Sequence, residues 1–131
     1  MSRKRRFYQP DVPVHVFQRG HNRQPVFFDG QDYLAYLRFL KASADALGCL
    51  IHAYVLMTNH VHLLVTPRAA NDISLLFQGV GRHFVPYINK TYQRRGSLWE
   101  GRHKGHILDS EDYFLICMRY YRDESCACRD G

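Results

Sequence analysis

A chain of 131 residues with 46% hydrophobic and 23% charged side chains has the material for one compact core, which excludes intrinsic disorder as its main state and argues against several domains. No apolar run reaches the roughly 18 residues of a membrane span, and the basic opening Arg3-Lys4-Arg5-Arg6 leads into Tyr8-Gln9-Pro10, not an apolar signal region. A soluble, cytoplasmic protein without a membrane partner is expected. Lys and Arg total 18 against 12 Asp and Glu, a net charge of +6, which suits a phosphate-bearing partner or simply a solvated basic surface.

Val12 to Arg19 is rich in β-branched and aromatic residues and reads as a strand, ended by the turn residues Gly20-His21-Asn22-Arg23. From Asp32 to Leu47 the apolar positions Tyr33, Leu37, Leu40, Ala44 and Leu47 trace one helical stripe, stopped by Gly48. Ile51 to Met57 and Val61 to Thr66 read as two strands of a hairpin across Thr58-Asn59-His60. Asn71 or Asp72 is placed to cap a second helix carrying Ile73, Leu76, Phe77, Val80, Phe84 and Ile88 on one face, and Pro86 predicts a kink or break in it. Arg102 to Leu108 reads as a fourth strand, and Ser110 caps a last helix. The order β-α-β-β-α-β-α predicts an α+β protein. It is a ferredoxin-like or RRM-like antiparallel sheet covered on one face by two helices, with an added C-terminal helix.

His60-Val61-His62 begins the third predicted strand, where alternation sends both imidazoles to one face and Val61 to the other. Their backbones stand ~6.6 Å apart, a span that two inward-leaning rings close onto one ion. Histidines on a strand are also commonly plain surface or hydrogen-bonded core residues. Tyr120, on the last helix after Cys117, Met118 and Arg119, can turn its hydroxyl toward the open sheet face, where a tyrosine beside a metal-neutralised phosphodiester acts as a nucleophile. With nine tyrosines in the chain, an ordinary packed tyrosine is the competing reading. Cysteines 49, 117, 126 and 128 form no CxxC pair, so free thiols are expected; Cys126-Ala127-Cys128 would be an isolated zinc pair.

The segments Arg19-Gly20-His21-Asn22-Arg23, Val26-Phe27-Phe28, His52 through Leu64, Leu98-Trp99-Glu100-Gly101-Arg102 with Lys104, and Cys117-Met118-Arg119-Tyr120 closely resemble the REP-associated tyrosine transposases. Those are members of the single-tyrosine HUH transposase superfamily. The resemblance runs from Val12 to Tyr120. It implies a metal-dependent single-strand DNA nuclease and strand transferase acting on hairpin-forming repeat DNA. By position, His60 and His62 become ligands of a magnesium or manganese ion, and Tyr120 becomes the nucleophile that ends as a 5′-phosphotyrosine. Arg19, Asn22, Arg23, Arg102 and Lys104 become contacts to the DNA backbone or hairpin bases. No Walker-type loop is present, and the covalent link would conserve the bond energy without a nucleotide cofactor. A monomer or homodimer is expected.

After Tyr120 the chain departs from the family's pattern and reads Tyr121-Arg122-Asp123-Glu124-Ser125-Cys126-Ala127-Cys128-Arg129-Asp130-Gly131. Back-translated from Tyr120 onward with one base removed, the chain instead reads Tyr-Ile-Glu-Met-Asn-Pro-Val-Arg-Ala-Gly-Met, which resembles the family's continuation. Residues 1–120 are therefore read as a single transposase domain, and 121–131 as an altered tail left by a frameshift in a truncated or decayed copy. In related enzymes a polar side chain one helical turn beyond the tyrosine completes the metal shell; here that position is Glu124. The competing function is a noncatalytic RRM-like nucleic-acid-binding module. A small-molecule metallohydrolase ranks last for want of a third strong ligand and an enclosed pocket.

Overall fold

The computed structural model describes residues 8–107. The expectations for the Ser110-capped helix, Tyr120, Tyr121, Glu124, the altered tail and the Cys126/Cys128 pair lie outside the described residues.

Six elements follow one another as expected: β1 (Val14–Arg19), α1 (Gly30–Leu47), β2 (Leu50–Met57), β3 (His60–Thr66), α2 (Asp72–Thr91) and β4 (Lys104–Ile107), with a 3-10 turn at His21–Arg23 after β1. The sheet order is β2-β3-β1-β4, every neighbouring pair antiparallel. This is the ferredoxin-like arrangement. Two crossover helices lie on one face of the sheet, and the sequence alternates accordingly. Val14 and Val16 of β1 and Val61, Leu63 and Val65 of β3 are fully buried and join one core with Tyr36, Leu40 and Ala44 of α1 and Ile73, Leu76, Phe77, Val80, Phe84 and Ile88 of α2. No helix among the described residues is long and apolar enough to cross a membrane.

Four local expectations are corrected. α2 runs through Pro86 without a break. The ring removes the bond to the Arg82 carbonyl, but both residues are exposed, so water can take that carbonyl. Neither Asn71 nor Asp72 caps α2: Asn71 stands at the cap position with no side-chain bond. The Asp72 carboxylate instead accepts from the Arg68 and Ala69 amides, at 3.1 and 2.9 Å, and so folds the loop leading in. β1 starts at Val14, not Val12, because Pro13 has no N–H for the ladder. β4 starts at Lys104, so Arg102 lies before it.

Gly48 ends α1 as expected, in the left-handed region at φ 77° with its amide bonded to the Ala44 carbonyl. At the other end Asp29 and Asp32 form a capping box. The Asp32 carboxylate is buried and accepts four bonds: the Phe28 and Asp29 amides at 2.8 and 3.0 Å, and the Tyr87 and Tyr92 hydroxyls at 3.0 and 2.7 Å. One charge thus ties the start of α1 to the end of α2, and its bond to Tyr92 pushes that phenol up to about 12. Cys49 is buried, and desolvation pushes its thiol up to about 11, as expected of a packed, unreactive cysteine. Replacing Asp32 by alanine removes the shared acceptor of four donors, and urea unfolding should show a loss of about 1–3 kcal/mol; a loss below about 0.5 kcal/mol would contradict the assigned network.

Candidate functional site

The face of the sheet turned away from the helices is set by the β1–β3 register. His15 pairs with Leu64, Phe17 with His62 and Arg19 with His60, so His15, Phe17, Arg19, His60 and His62 share one side. β4 adds Lys104 beside Phe17, and β2 adds Val55 beside His62. His60 and His62 lie with ring centroids 4.9 Å apart, edge to face. Arg19 and Lys104, both read from the sequence as DNA contacts, therefore flank them on the same side. Asn22 and Arg23 lie on the exposed turn after β1, and Arg102 is half-buried just before β4.

The tautomer of His60 follows from Asn59. The Asn59 amide nitrogen donates to the Arg23 carbonyl at 3.3 Å, which can only accept. The amide oxygen therefore faces His60 Nδ1 at 2.8 Å, and Nδ1 must carry the hydrogen. In the neutral ring this leaves the lone pair on Nε2, the nitrogen able to ligate.

His62 is held differently. Its Nδ1 lies 3.1 Å from His15 Nε2, the two rings stack with centroids 5.3 Å apart, and the Phe17 ring packs against both, 5.7 Å from His62 and 5.8 Å from His15. Burial, then the charges of His15, His60 and Arg19, lower its pKa from 6.5 to about 4. Its ring is therefore neutral near pH 7, the form that binds metal. Two imidazoles on one face, that of His62 neutral, fit part of an open divalent-cation site, where a hard cation keeps waters and takes phosphate oxygens as further ligands. Among the described residues no group of three or more His, Cys, Asp or Glu could hold a metal ion. His15 was missed in the sequence, although the alternation from Arg19 back through Phe17 to His15 carried the signal.

A second feature adjoins the first. His21, Asn22, Arg23 and Glu100 line an open cleft of about 420 Å³. Gly20 joins its two walls by bridging to Trp99, and within its own turn a Cβ there would collide with the Gln24 carbonyl and, at 2.9 Å, with Val26. The His21 amide donates to the Leu98 carbonyl at 2.9 Å and the Glu100 amide to the Arg19 carbonyl at 2.7 Å. Glu100 was part of a recognised motif, but no role was read for it.

Comparison with known proteins assigns the class. Residues 8–122 match the family model for IS200-like transposases. The chain belongs to the IS200-like transposase family. Two solved structures share its fold. One is a REP-associated tyrosine transposase bound to a REP hairpin, 18% identical with a TM-score of 0.72, matched over 92% of this chain and 70% of that one. The other is a Deinococcus radiodurans R1 protein described as a transposase, 20% identical with a TM-score of 0.62, over 96% and 99% of the two chains. No match was found among curated proteins.

Because the unfolded His62 takes up a proton near pH 6.5 and the folded one only near 4, its contribution to stability is complete above that window and is lost as the pH falls through it. The melting temperature should drop between about pH 6.5 and 4, and His62→Gln should make the drop shallower. An unchanged slope in the variant would refute the assignment.

Proposed function

We propose that this protein is a metal-dependent single-strand DNA endonuclease and strand transferase acting on hairpin-forming repeat DNA. The observation that supports this reading most is the same-faced His60/His62 pair, flanked by Arg19 and Lys104 within a transposase fold. Arg19 and Lys104 would hold the DNA backbone over the sheet face by charge, with Asn22, Arg23 and Arg102 extending the contact. His60 and His62, with Glu124 as third ligand, would hold Mg2+ or Mn2+, which when bound neutralises charge on the scissile phosphate.

The Tyr120 oxygen attacks phosphorus, a Tyr–O–P bond forms, and the bond from phosphorus to the 3′ oxygen breaks. The phenolic proton is lost and the departing oxygen gains one, leaving a 3′-hydroxyl and a 5′-phosphotyrosine. Attack by another strand's 3′-hydroxyl reverses these steps, restores the phosphodiester and frees Tyr120. No hydrolysis and no nucleotide cofactor enter the balance. Residues 1–120 form the working domain on this reading, and the altered tail from Tyr121 weakens the support of the Tyr120 helix.

End-labelled hairpin DNA incubated with the chain and Mg2+ or Mn2+ should give a covalent adduct on a denaturing gel. EDTA or Tyr120→Phe should abolish it, and His62→Ala should lower its rate at least about a hundredfold. Binding that survives EDTA with no adduct under any condition would favour the noncatalytic module. An adduct at full yield in Tyr120→Phe would move the nucleophile, with Tyr121 the nearest candidate. The same gene with one base removed after Tyr120 should cleave faster, and equal rates would make the tail change functionally silent.

A further inference from the structure

We infer that His15 is a positioning residue for His62: it accepts the Nδ1 hydrogen of that ring and so fixes both its plane and its tautomer, with the lone pair on Nε2. This inference rests on the reading of His60 and His62 as ligands of a divalent cation. It gives a role to a side chain that the proposed chemistry does not use.

Three observations carry it. The first is the contact itself, 3.1 Å between His15 Nε2 and His62 Nδ1, which is hydrogen-bond distance. With Nδ1 engaged in this way, His62 can meet a cation only through Nε2. The second is the packing. His15 stands opposite Leu64, diagonal to His62 across the β1–β3 pair, a spacing that long side chains bridge. The two rings stack at an interplanar angle of 26°, and the Phe17 ring lies against both. Turning the His62 ring out of this plane would lose the hydrogen bond and both ring contacts. The third is that His60 is held by the same device, its Nδ1 hydrogen going to the Asn59 side-chain oxygen at 2.8 Å. Metal-ligating histidines characteristically give their second N–H to such an acceptor, which sets the orientation and tautomer of the ring.

The hydrogen between His15 and His62 has two possible owners. On His15 Nε2 it would make His62 Nδ1 the acceptor; the neutral His62 ring would then carry its own hydrogen on Nε2, and no lone pair would face a cation. On His62 Nδ1 it makes His15 the acceptor and leaves the lone pair on Nε2. The strand register favours the second arrangement. His15 lies opposite Leu64 and Arg19 opposite His60, so His15 stands on one side of His62 along the strand and a guanidinium on the other. A positive charge on the Arg19 side favours the ring dipole whose N–H points away from it, toward His15. His62 is neutral near pH 7, so no proton is gained or lost in this choice between tautomers.

The test is a two-bond proton–nitrogen correlation spectrum of the full chain carrying isotopically labelled histidine. It is taken in EDTA at about pH 8, above the ordinary histidine range, with the His62 signals assigned by their loss in His62→Gln. Wild-type His62 should show a protonated Nδ1 and an unprotonated Nε2. His15→Phe keeps a ring beside Phe17 and His62 but removes the acceptor. The His62 hydrogen should then shift toward Nε2, and Mn2+ affinity, read from the paramagnetic resonance of the free ion, should fall at least about tenfold. His15→Gln returns an amide oxygen and should restore the Nδ1–H form and most of the affinity, whereas a residue that only filled space would be replaced better by phenylalanine. A wild-type His62 protonated on Nε2, or a tautomer and Mn2+ affinity unchanged in His15→Phe, would overturn the inference. The wild-type spectrum decides the matter even where a variant fails to fold. The expected tautomer without Mn2+ binding would sink the nuclease reading and leave the role of His15 standing; Mn2+ bound equally well by His15→Phe would do the reverse.

Discussion

The antiparallel register of β1 against β3 is the constraint from which the site follows. Val14 and Val16 meet Val65 and Leu63 on the helix side, and the burial of all four makes a one-residue slip costly, since it would turn an apolar row toward the open face and the histidines into the core. The hydrophobic pattern that folds the sheet thereby also places His15, Phe17 and Arg19 opposite Leu64, His62 and His60. Side chains from distant parts of the chain become neighbours without any loop having to hold them, and a site carried on paired strands is held more precisely than one on loops.

Asn59 joins this face to the cleft beside it. Its carbonyl oxygen takes the His60 Nδ1 hydrogen, its amide holds the Arg23 carbonyl, and its backbone carbonyl accepts from the Gly20 amide at 2.8 Å. The turn between β2 and β3 and the turn after β1 are therefore one hydrogen-bonded unit. A displacement of the cleft wall would be felt at the His60 ring through a single side chain. Gly20 is needed for the turn after β1 to close on itself, because a Cβ there would collide with the Gln24 carbonyl and Val26.

The element order, the helical stripes and the same-face disposition of His60 and His62 were legible in the sequence because periods of two and 3.6 residues determine them. The role of His15 was legible only in part: alternation puts it on the face of Phe17 and Arg19, but its meeting with His62 depends on which strand becomes β3's neighbour, a fact of topology. Pro86 misled for a related reason: the cost of a proline in a helix is set by whether water can reach the freed carbonyl, and that requires knowing which side of α2 faces out. Asp72 looked like a cap by position, while its carboxylate found donors in the preceding loop. Glu100 has no periodic signature at all, and it comes to line one cleft with Arg23 only when the Gly20–Trp99 bridge closes.

Net charge and local chemistry act at different ranges on this surface. The excess of +6 attracts a polyanion over roughly a Debye length, about 8–10 Å, but it cannot distinguish one base from another. At close range single charges matter more. Arg19 stands opposite His60 in the β1–β3 register, and after burial and the two neighbouring histidines its charge also lowers the pKa of His62. An anion arriving beside Arg19 would offset that positive field and raise the basicity of the His62 ring, so the two side chains are coupled through the same strand pairing that folds the sheet.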